Sequence, residues 1–167
     1  MSTATALTKV TSSALSKLKP HFTRWFLRKY YPFDSRKLIV EFDSYPNISL
    51  NFPTQEHWMY FSFNLNNFTL YEIELLKLDC QIRIGGYDIA RIKEALAHTL
   101  KVDGMFHFQT SHQLTPGDAS RITQYSSDRS LNLADYFFSL SVRTRFGIEN
   151  ITLPEKIFCI QIKQYHG

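Results

Sequence analysis

Hydrophobic and polar side chains alternate with a period of two over most of the chain after residue 37, which is the pattern of half-buried β-strands. Residues 38–42, 48–52 and 58–65 form three such segments, and residues 106–108 resume the alternation. The last third of the chain repeats it at Phe138, Leu140, Val142, Ile151, Leu153, Phe158, Ile160 and Ile162. About seven or eight short strands with turn signals between them predict a mainly β domain, an antiparallel β-sandwich of the fibronectin or immunoglobulin type.

The clearest strand signal covers residues 71–84, and its alternation slips by one residue at Leu75-Leu76. One extra residue turns every later side chain to the opposite face of a strand. The slip therefore predicts either a β-bulge or a crossing between two sheets at this dipeptide. Gly85-Gly86 predicts the turn that ends the strand.

Two segments predict short helices within the β pattern. The first covers residues 89–101, with Asp88 as its N-cap, because its apolar residues have a spacing of three to four. These residues are Ile89, Ile92, Leu96 and Leu100. The second begins at Thr115-Pro116-Gly117-Asp118, which supplies a cap, a first-turn proline and a first-turn acid, and it extends to about Tyr125.

Residues 1–33 differ from the rest of the chain in both charge and pattern. They carry six Lys and Arg residues and no acid, so the remaining residues have 13 basic side chains against 15 acids, a net charge of −2. Their apolar residues form one helical stripe, interrupted at Pro20. The stripe consists of Leu7, Val10, Ala14, Leu18, Phe22 and Trp25. We therefore predict a basic amphipathic arm over residues 1–33 and a sandwich domain over residues 34–167.

The arm supplies the predicted binding residues. Its cations would attract an anionic membrane or a protein partner, and its aromatic side chains would anchor the contact. The residues concerned are Lys17, Lys19, Phe22, Arg24, Trp25, Phe26, Arg28 and Lys29. Three hypotheses stay open: membrane binding, packing against the domain or a partner, and a removable targeting segment of the mitochondrial type. We do not expect nucleic acid as a partner, because the domain behind the arm is acidic and would be repelled.

Catalytic or metal chemistry has few candidates. The carboxylate pairs Glu41/Asp43 and Glu72/Glu74 each share a strand face, where paired acids can perform acid–base catalysis inside a cleft. The ordinary interpretation is a solvated polar face. His107 and His112 have no third ligand nearby in sequence, so we expect no metal site and no cofactor.

The remaining candidates are a basic patch and two thiols. Arg83, Arg143 and Arg145 could form a patch, although exposed strand faces commonly carry such residues without a partner. Cys80 and Cys159 lie in apolar strand segments, which predicts two buried free thiols, with a disulfide between facing strands as the alternative.

One segment also resembles a known family. The run Phe63-Asn64-Leu65-Asn66-Asn67 precedes Ile73, an alternating strand, Gly85-Gly86 and Ile89-Ala90. This order is similar to the water-stress and hypersensitive-response domain of type-2 late-embryogenesis-abundant proteins, with Asn64-Leu65-Asn66 in the place of an Asn-Pro-Asn element. Residues 142–153 resemble the family's closing hairpin. The resemblance implies a fibronectin-like sandwich without a catalytic site, often tethered close to a membrane.

These features together predict a non-catalytic interaction or scaffolding module, which the arm would place at a membrane surface or in an assembly. We favour a cytoplasmic or peripheral membrane location. The first alternative is a structural subunit of a larger complex, such as a virion or secretion assembly, whose sheet edges pair between copies into a homo-oligomer. The second is a small hydrolytic or ligand-binding protein that uses a carboxylate pair.

Overall fold

The computed structural model of the protein describes residue 29, residues 32–127 and residues 132–166. The chain divides into two units, Met1–Asp34 and Ser35–Gly167, and the description that follows concerns the second. In its described part, a 3₁₀ turn (Ser35–Lys37) leads into ten strands and one α-helix. They are β1 (Leu38–Phe42), β2 (Asn47–Asn51), β3 (Glu56–Asn67), β4 (Ile73–Ile84), β5 (Tyr87–Leu100), β6 (Gly104–Leu114), α1 (Pro116–Ser127), β7 (Leu133–Thr144), β8 (Gly147–Thr152), β9 (Lys156–Cys159) and β10 (Gln161–Tyr165).

The strands form two five-stranded sheets. In the first sheet, β6 pairs with one side of β3, while β1 and β2 share the other side. β1 pairs with residues 63–67 of β3 and β2 pairs with residues 56–60, so Phe61 and Ser62 face the loop between β1 and β2. β10 adds to β2 in parallel, and the other pairings in this sheet are antiparallel.

In the second sheet, as in the first, two short strands share one side of a long strand. β4 lies between β5 and β7, and β8 and β9 share the far side of β7. β8 pairs with residues 139–144 and β9 with residues 133–136, all antiparallel. The mainly β prediction is therefore confirmed, with ten strands in the described residues where seven or eight were expected.

Aromatic side chains from both sheets meet in the core. The Phe63 ring lies 5.0 Å from Phe138 and the Phe42 ring 4.8 Å from Tyr136, measured between centroids. Each of these pairs joins a strand of the first sheet to a strand of the second. Burial of such large rings is the main stabilising term of a domain of this size.

The helix predicted over residues 89–101 is wrong. These residues lie in β5, a 14-residue strand that pairs with β4. The register of β5 against β4 shifts twice. Ile89 is one extra residue on β5, and a second arises where Leu96-Ala97 lie opposite the single residue Leu76. Each extra residue lengthens the spacing between inward side chains from two to three or more, which imitates a helical period.

The other predicted irregularity and the other helix are confirmed. β4 carries a register shift between Leu75 and Lys77 against both of its neighbours, so the slip is a bulge within one sheet and not a crossing. Leu75 and Leu78 are both buried, because the bulge returns the strand to the core face. Helix α1 begins one residue after Thr115, whose hydroxyl accepts a hydrogen bond from the Asp118 amide at 3.2 Å.

Candidate functional site

One end of the second sheet brings the predicted acids and arginines together. Glu74 on β4 lies directly opposite Arg143 on β7, and the Arg143 guanidinium donates to the Glu74 carboxylate at 2.6 Å. Glu72 is exposed beside them, and with Tyr71 and Arg145 they line a broad, open depression of about 500 Å³. A general base needs a carboxylate that is free to accept a proton from its substrate. The Glu74 carboxylate is instead paired with Arg143 in an open depression, which favours a surface ion pair over a catalytic role.

Two further ion pairs lie on this outer face. Arg91 donates two hydrogen bonds to Asp79, both at 2.9 Å, and these bonds hold the pKa of Asp79 below its usual range. Arg83 donates to Asp88 at 2.6 Å and is the main cause of the lowered pKa of that carboxyl. The structure does not bring the predicted patch together, because Arg83 lies at the opposite end of the β4–β7 pairing from Arg143 and Arg145. Arg83 and Arg143 are each paired with an acid. Such exposed pairs contribute little to stability, because water screens the two charges.

The outer face of the first sheet carries amides in place of ion pairs. Asn66 donates to Glu41 at 2.9 Å, and Asn64 donates to Asp43. The His107 Nδ1 atom lies 2.9 Å from an Asp43 carboxylate oxygen. The pair Glu41/Asp43 is therefore held by asparagines of β3 and a histidine of β6, contacts between strands that the alternation of the sequence does not indicate.

His107 and His112 do not share a site. They lie five residues apart on β6, which places them on opposite faces of the sheet, and His107 is the exposed one. Within residues 32–127 and 132–166, no group of three or more His, Cys, Asp or Glu side chains is placed to hold a metal ion.

A second depression, of about 530 Å³, lies where β1 ends and β2 begins. Its floor is the Phe61–Ser62 stretch of β3, which faces the loop between those strands. Its walls are polar or aromatic side chains from the loop of residues 43–46 and from four strands of the first sheet. They include Asp43, Tyr45, Asn47, Tyr60, Gln109 and Gln161.

The two long strands at the edges of the sheets, β5 and β6, differ in regularity and in charge. β5 carries two register shifts and four charged residues, Asp88, Arg91, Lys93 and Glu94. β6 pairs with β3 over 11 residues without a shift and contains no Asp, Glu, Lys or Arg. In the part of the chain that the structure describes, β6 pairs with no strand on its other side.

Both cysteines are free thiols, so the disulfide alternative is wrong. Cys80 is buried in β4, and burial raises the pKa of its thiol. Cys159, at the end of β9, is only partly buried, which corrects the prediction that both are buried.

The predicted binding residues of the arm lie outside the described residues, with one exception. These are Lys17, Lys19, Phe22, Arg24, Trp25, Phe26 and Arg28. The exception, Lys29, is helical and exposed. Across the residues that the structure describes, no helix has the length and apolar content needed to cross a membrane.

Comparisons with known proteins show the fold alone. No protein-family model matches the chain, and no curated protein matches it. A solution structure of an Arabidopsis thaliana protein is similar, with a TM-score of 0.51 and 10% identity over 78% of this chain and 86% of that one. The crystal structure of a Bordetella pertussis protein described as ApaA has a TM-score of 0.50 and 12% identity, covering 77% of this chain and 94% of that one. At identities of 10–12%, these similarities concern the fold and carry no function to this chain.

Proposed function

We propose that the chain is a non-catalytic interaction module with a fibronectin- or immunoglobulin-like β-sandwich, which assembles with other copies through the edge of β6. The observation that carries this proposal is the regular, uncharged edge of β6. The basic arm would place the module at an anionic membrane surface or in an assembly. We also propose that the chain is related to the water-stress and hypersensitive-response domain, which its sequence resembles.

The difference between the edges of β5 and β6 supports the proposal that the β6 edge can pair with another strand. Proteins protect exposed edges with bulges and charged side chains, because unpaired backbone N–H and C=O groups otherwise recruit another strand. β5 has both kinds of protection and β6 has neither. Near their shared turn β5 flanks β6, since the His98 and Phe106 rings are 4.7 Å apart. Residues 108–114 form the part of β6 beyond this contact with β5, and no described strand pairs with their other side.

A two-fold axis through Ser111 gives this half a self-complementary pattern. Antiparallel pairing of two copies would set Phe108 opposite Leu114 on the buried face and Gln109 opposite Gln113 on the exposed face. Cross-strand pairs of apolar with apolar and amide with amide side chains stabilise a sheet, and no like charges would meet. The occupant that β6 fits best is therefore a second copy of this chain.

The carboxylate alternative has less support. Glu74 is bound by Arg143, and the Glu41/Asp43 pair is held by two asparagines and His107. Glu41, Asp43 and Glu74 each have a structural partner, which favours a role in holding the outer faces of the sheets over acid–base catalysis by these acids.

We expect Ser111→Lys to weaken self-association of the full chain about tenfold, because two ammonium groups would meet at the two-fold axis. Sedimentation velocity over a wide concentration range measures the change. Ser111→Glu should have a similar effect alone, whereas an equimolar mixture of the Lys and Glu variants should associate at least as well as the unmodified protein. Ala97→Lys, on the protected β5 edge, is the matched control and should change nothing. A chain that stays monomeric, or variants that associate normally, would overturn assembly through β6.

The arm is tested separately with vesicles. Replacing Lys17, Lys19, Arg24, Arg28 and Lys29 by Gln should reduce co-sedimentation with phosphatidylserine-containing liposomes at least tenfold, because each cation near the surface contributes about 1 kcal/mol. Added salt should weaken binding of the unmodified chain, and phosphatidylcholine liposomes should bind neither form. Lys77→Gln with Lys93→Gln, both in the domain, provides the control. Binding that ignores salt and the arm substitutions would contradict the membrane role.

A further inference from the structure

We infer that the depression between β1 and β2 is a binding site for a neutral sugar. The site goes beyond the proposed function, and of its lining residues only Gln109 also belongs to the β6 edge. The argument rests on how the fold creates the depression, on the charge of its walls, and on the exposed rings at its rim.

The depression is a consequence of the sheet topology. β1 and β2 pair with two different stretches of the same side of β3, and Phe61 and Ser62 lie between those stretches. The loop of residues 43–46 spans the interval, so an open depression remains beside β3. The depression is open to solvent, like the one beside Glu74, and its volume of about 530 Å³ agrees with a small-ligand site in size alone.

The walls suit a ligand that carries many hydroxyl groups and no charge. Asn47, Gln109 and Gln161 supply amide groups, and each amide both donates and accepts hydrogen bonds. Asp43 is the one acid of the lining, and the lining contains no Lys or Arg. An anionic ligand would therefore be repelled, and the described residues offer no cluster of three ligands for a cation.

The Asp43 carboxylate is fixed in place before any ligand arrives. Asn64 donates to one of its oxygens and His107 Nδ1 lies 2.9 Å from the other. The Asp43 side chain is still 30% exposed, and a carboxylate has about four acceptor positions. It can thus accept hydrogen bonds from two neighbouring hydroxyls of a sugar, at little entropic cost because its position is already set.

Two exposed rings complete the site. Tyr45 is 59% exposed and Tyr60 is 47% exposed, and both line the depression. A tyrosine at a binding surface offers an apolar ring face beside a polar hydroxyl. The C–H face of a pyranose ring is apolar, while its rim of hydroxyls is polar, and it matches these rings and the amides around them.

We expect the full chain to bind at least one neutral sugar in saturation-transfer NMR, followed by calorimetric titration. The probes are the methyl glycosides of glucose, galactose, mannose and N-acetylglucosamine, together with cellotriose and maltotriose. A single small site of this kind should bind with a Kd of about 1 mM. Tyr60→Ala and Asp43→Asn should each weaken binding about tenfold, which is the loss of one ring contact or of one charge-assisted pair of hydrogen bonds.

The matched control is Tyr87→Ala, which removes a tyrosine that is 56% exposed on the other sheet and should leave sugar binding unchanged. Thermal melting of each variant separates loss of the site from loss of the fold. The inference is overturned if no probe binds at tens of millimolar, or if folded Tyr60→Ala and Asp43→Asn variants bind as well as the unmodified chain. Sedimentation of the same samples reports β6 assembly independently.

Discussion

Replacing Asn67 by Ala should lower the free energy of unfolding by about 3 kcal/mol, because the side chain is fully buried and its loss leaves several backbone groups unpaired. Its amide nitrogen lies within hydrogen-bonding distance of the carbonyl oxygens of Tyr71, Leu100 and Lys101, at 2.9, 3.2 and 3.0 Å. Its amide oxygen accepts hydrogen bonds from the amide and hydroxyl of Thr69. Asn67 thereby joins the β3–β4 connection to the β5–β6 turn, which links the two sheets. Urea unfolding monitored by circular dichroism measures the change.

The matched control is the neighbouring Asn66→Ala. Asn66 is only partly buried, and its amide donates one hydrogen bond, to the Glu41 carboxylate at the surface. Its loss should change stability by less than about 1 kcal/mol, because water can replace an exposed partner. Equal effects of the two substitutions would show that Asn67 does not organise the turns.

The sequence was sufficient to predict most strands and the bulge in β4, because both depend on local alternation. The slip at Leu75-Leu76 marks the bulge. The apolar residues have odd numbers before the slip and even numbers after it, so one extra residue is needed for both groups to face the core. Alternation does not distinguish a bulge from a change of sheet. That choice depends on whether β7 remains the neighbour of β4 on both sides of the slip, which is a long-range property.

β5 shows how a local pattern can mislead. Ile89, Ile92 and Leu100 are buried at helical spacing, yet the segment is a strand. The two extra residues of β5 interrupt the period of two, and Ala95 and Ala97 contribute helix propensity at exposed positions. Pairing with β4 along almost the whole length of β5 provides more stabilisation than these weak local preferences, so tertiary context decides the structure.

The candidate sites could also be predicted only in part from the sequence. Each member of the Glu74–Arg143 pair was identifiable on its own strand, but their contact requires the register of two strands 69 residues apart. The depression beside Phe61 and Ser62 has no signal in the sequence. It exists because β1 and β2 both pair with one side of β3, and the turn between them gives no information about that shared partner.

Tyr136 allows packing and hydrogen bonding to be separated at the centre of the core. Its ring is fully buried and contacts Phe42 and Phe61 of the first sheet, with centroids 4.8 and 6.2 Å away. Its hydroxyl is buried and has no hydrogen-bond partner among the described residues, and burial raises the pKa of the phenol. Tyr136→Ala should therefore lower the free energy of unfolding by about 4 kcal/mol, through lost burial and a cavity between the sheets.

Tyr136→Phe keeps the ring and removes only the hydroxyl, so it should leave the free energy of unfolding unchanged or raise it by up to about 1 kcal/mol. Urea unfolding of both variants, with m-values compared, provides the measurement, since an unchanged m-value shows that the same surface is exposed on unfolding. A loss of more than about 1 kcal/mol in Tyr136→Phe would mean that the hydroxyl has a partner, because removing an unpaired buried group carries no such cost. The difference between the two variants then gives the contribution of the ring itself to holding the two sheets together.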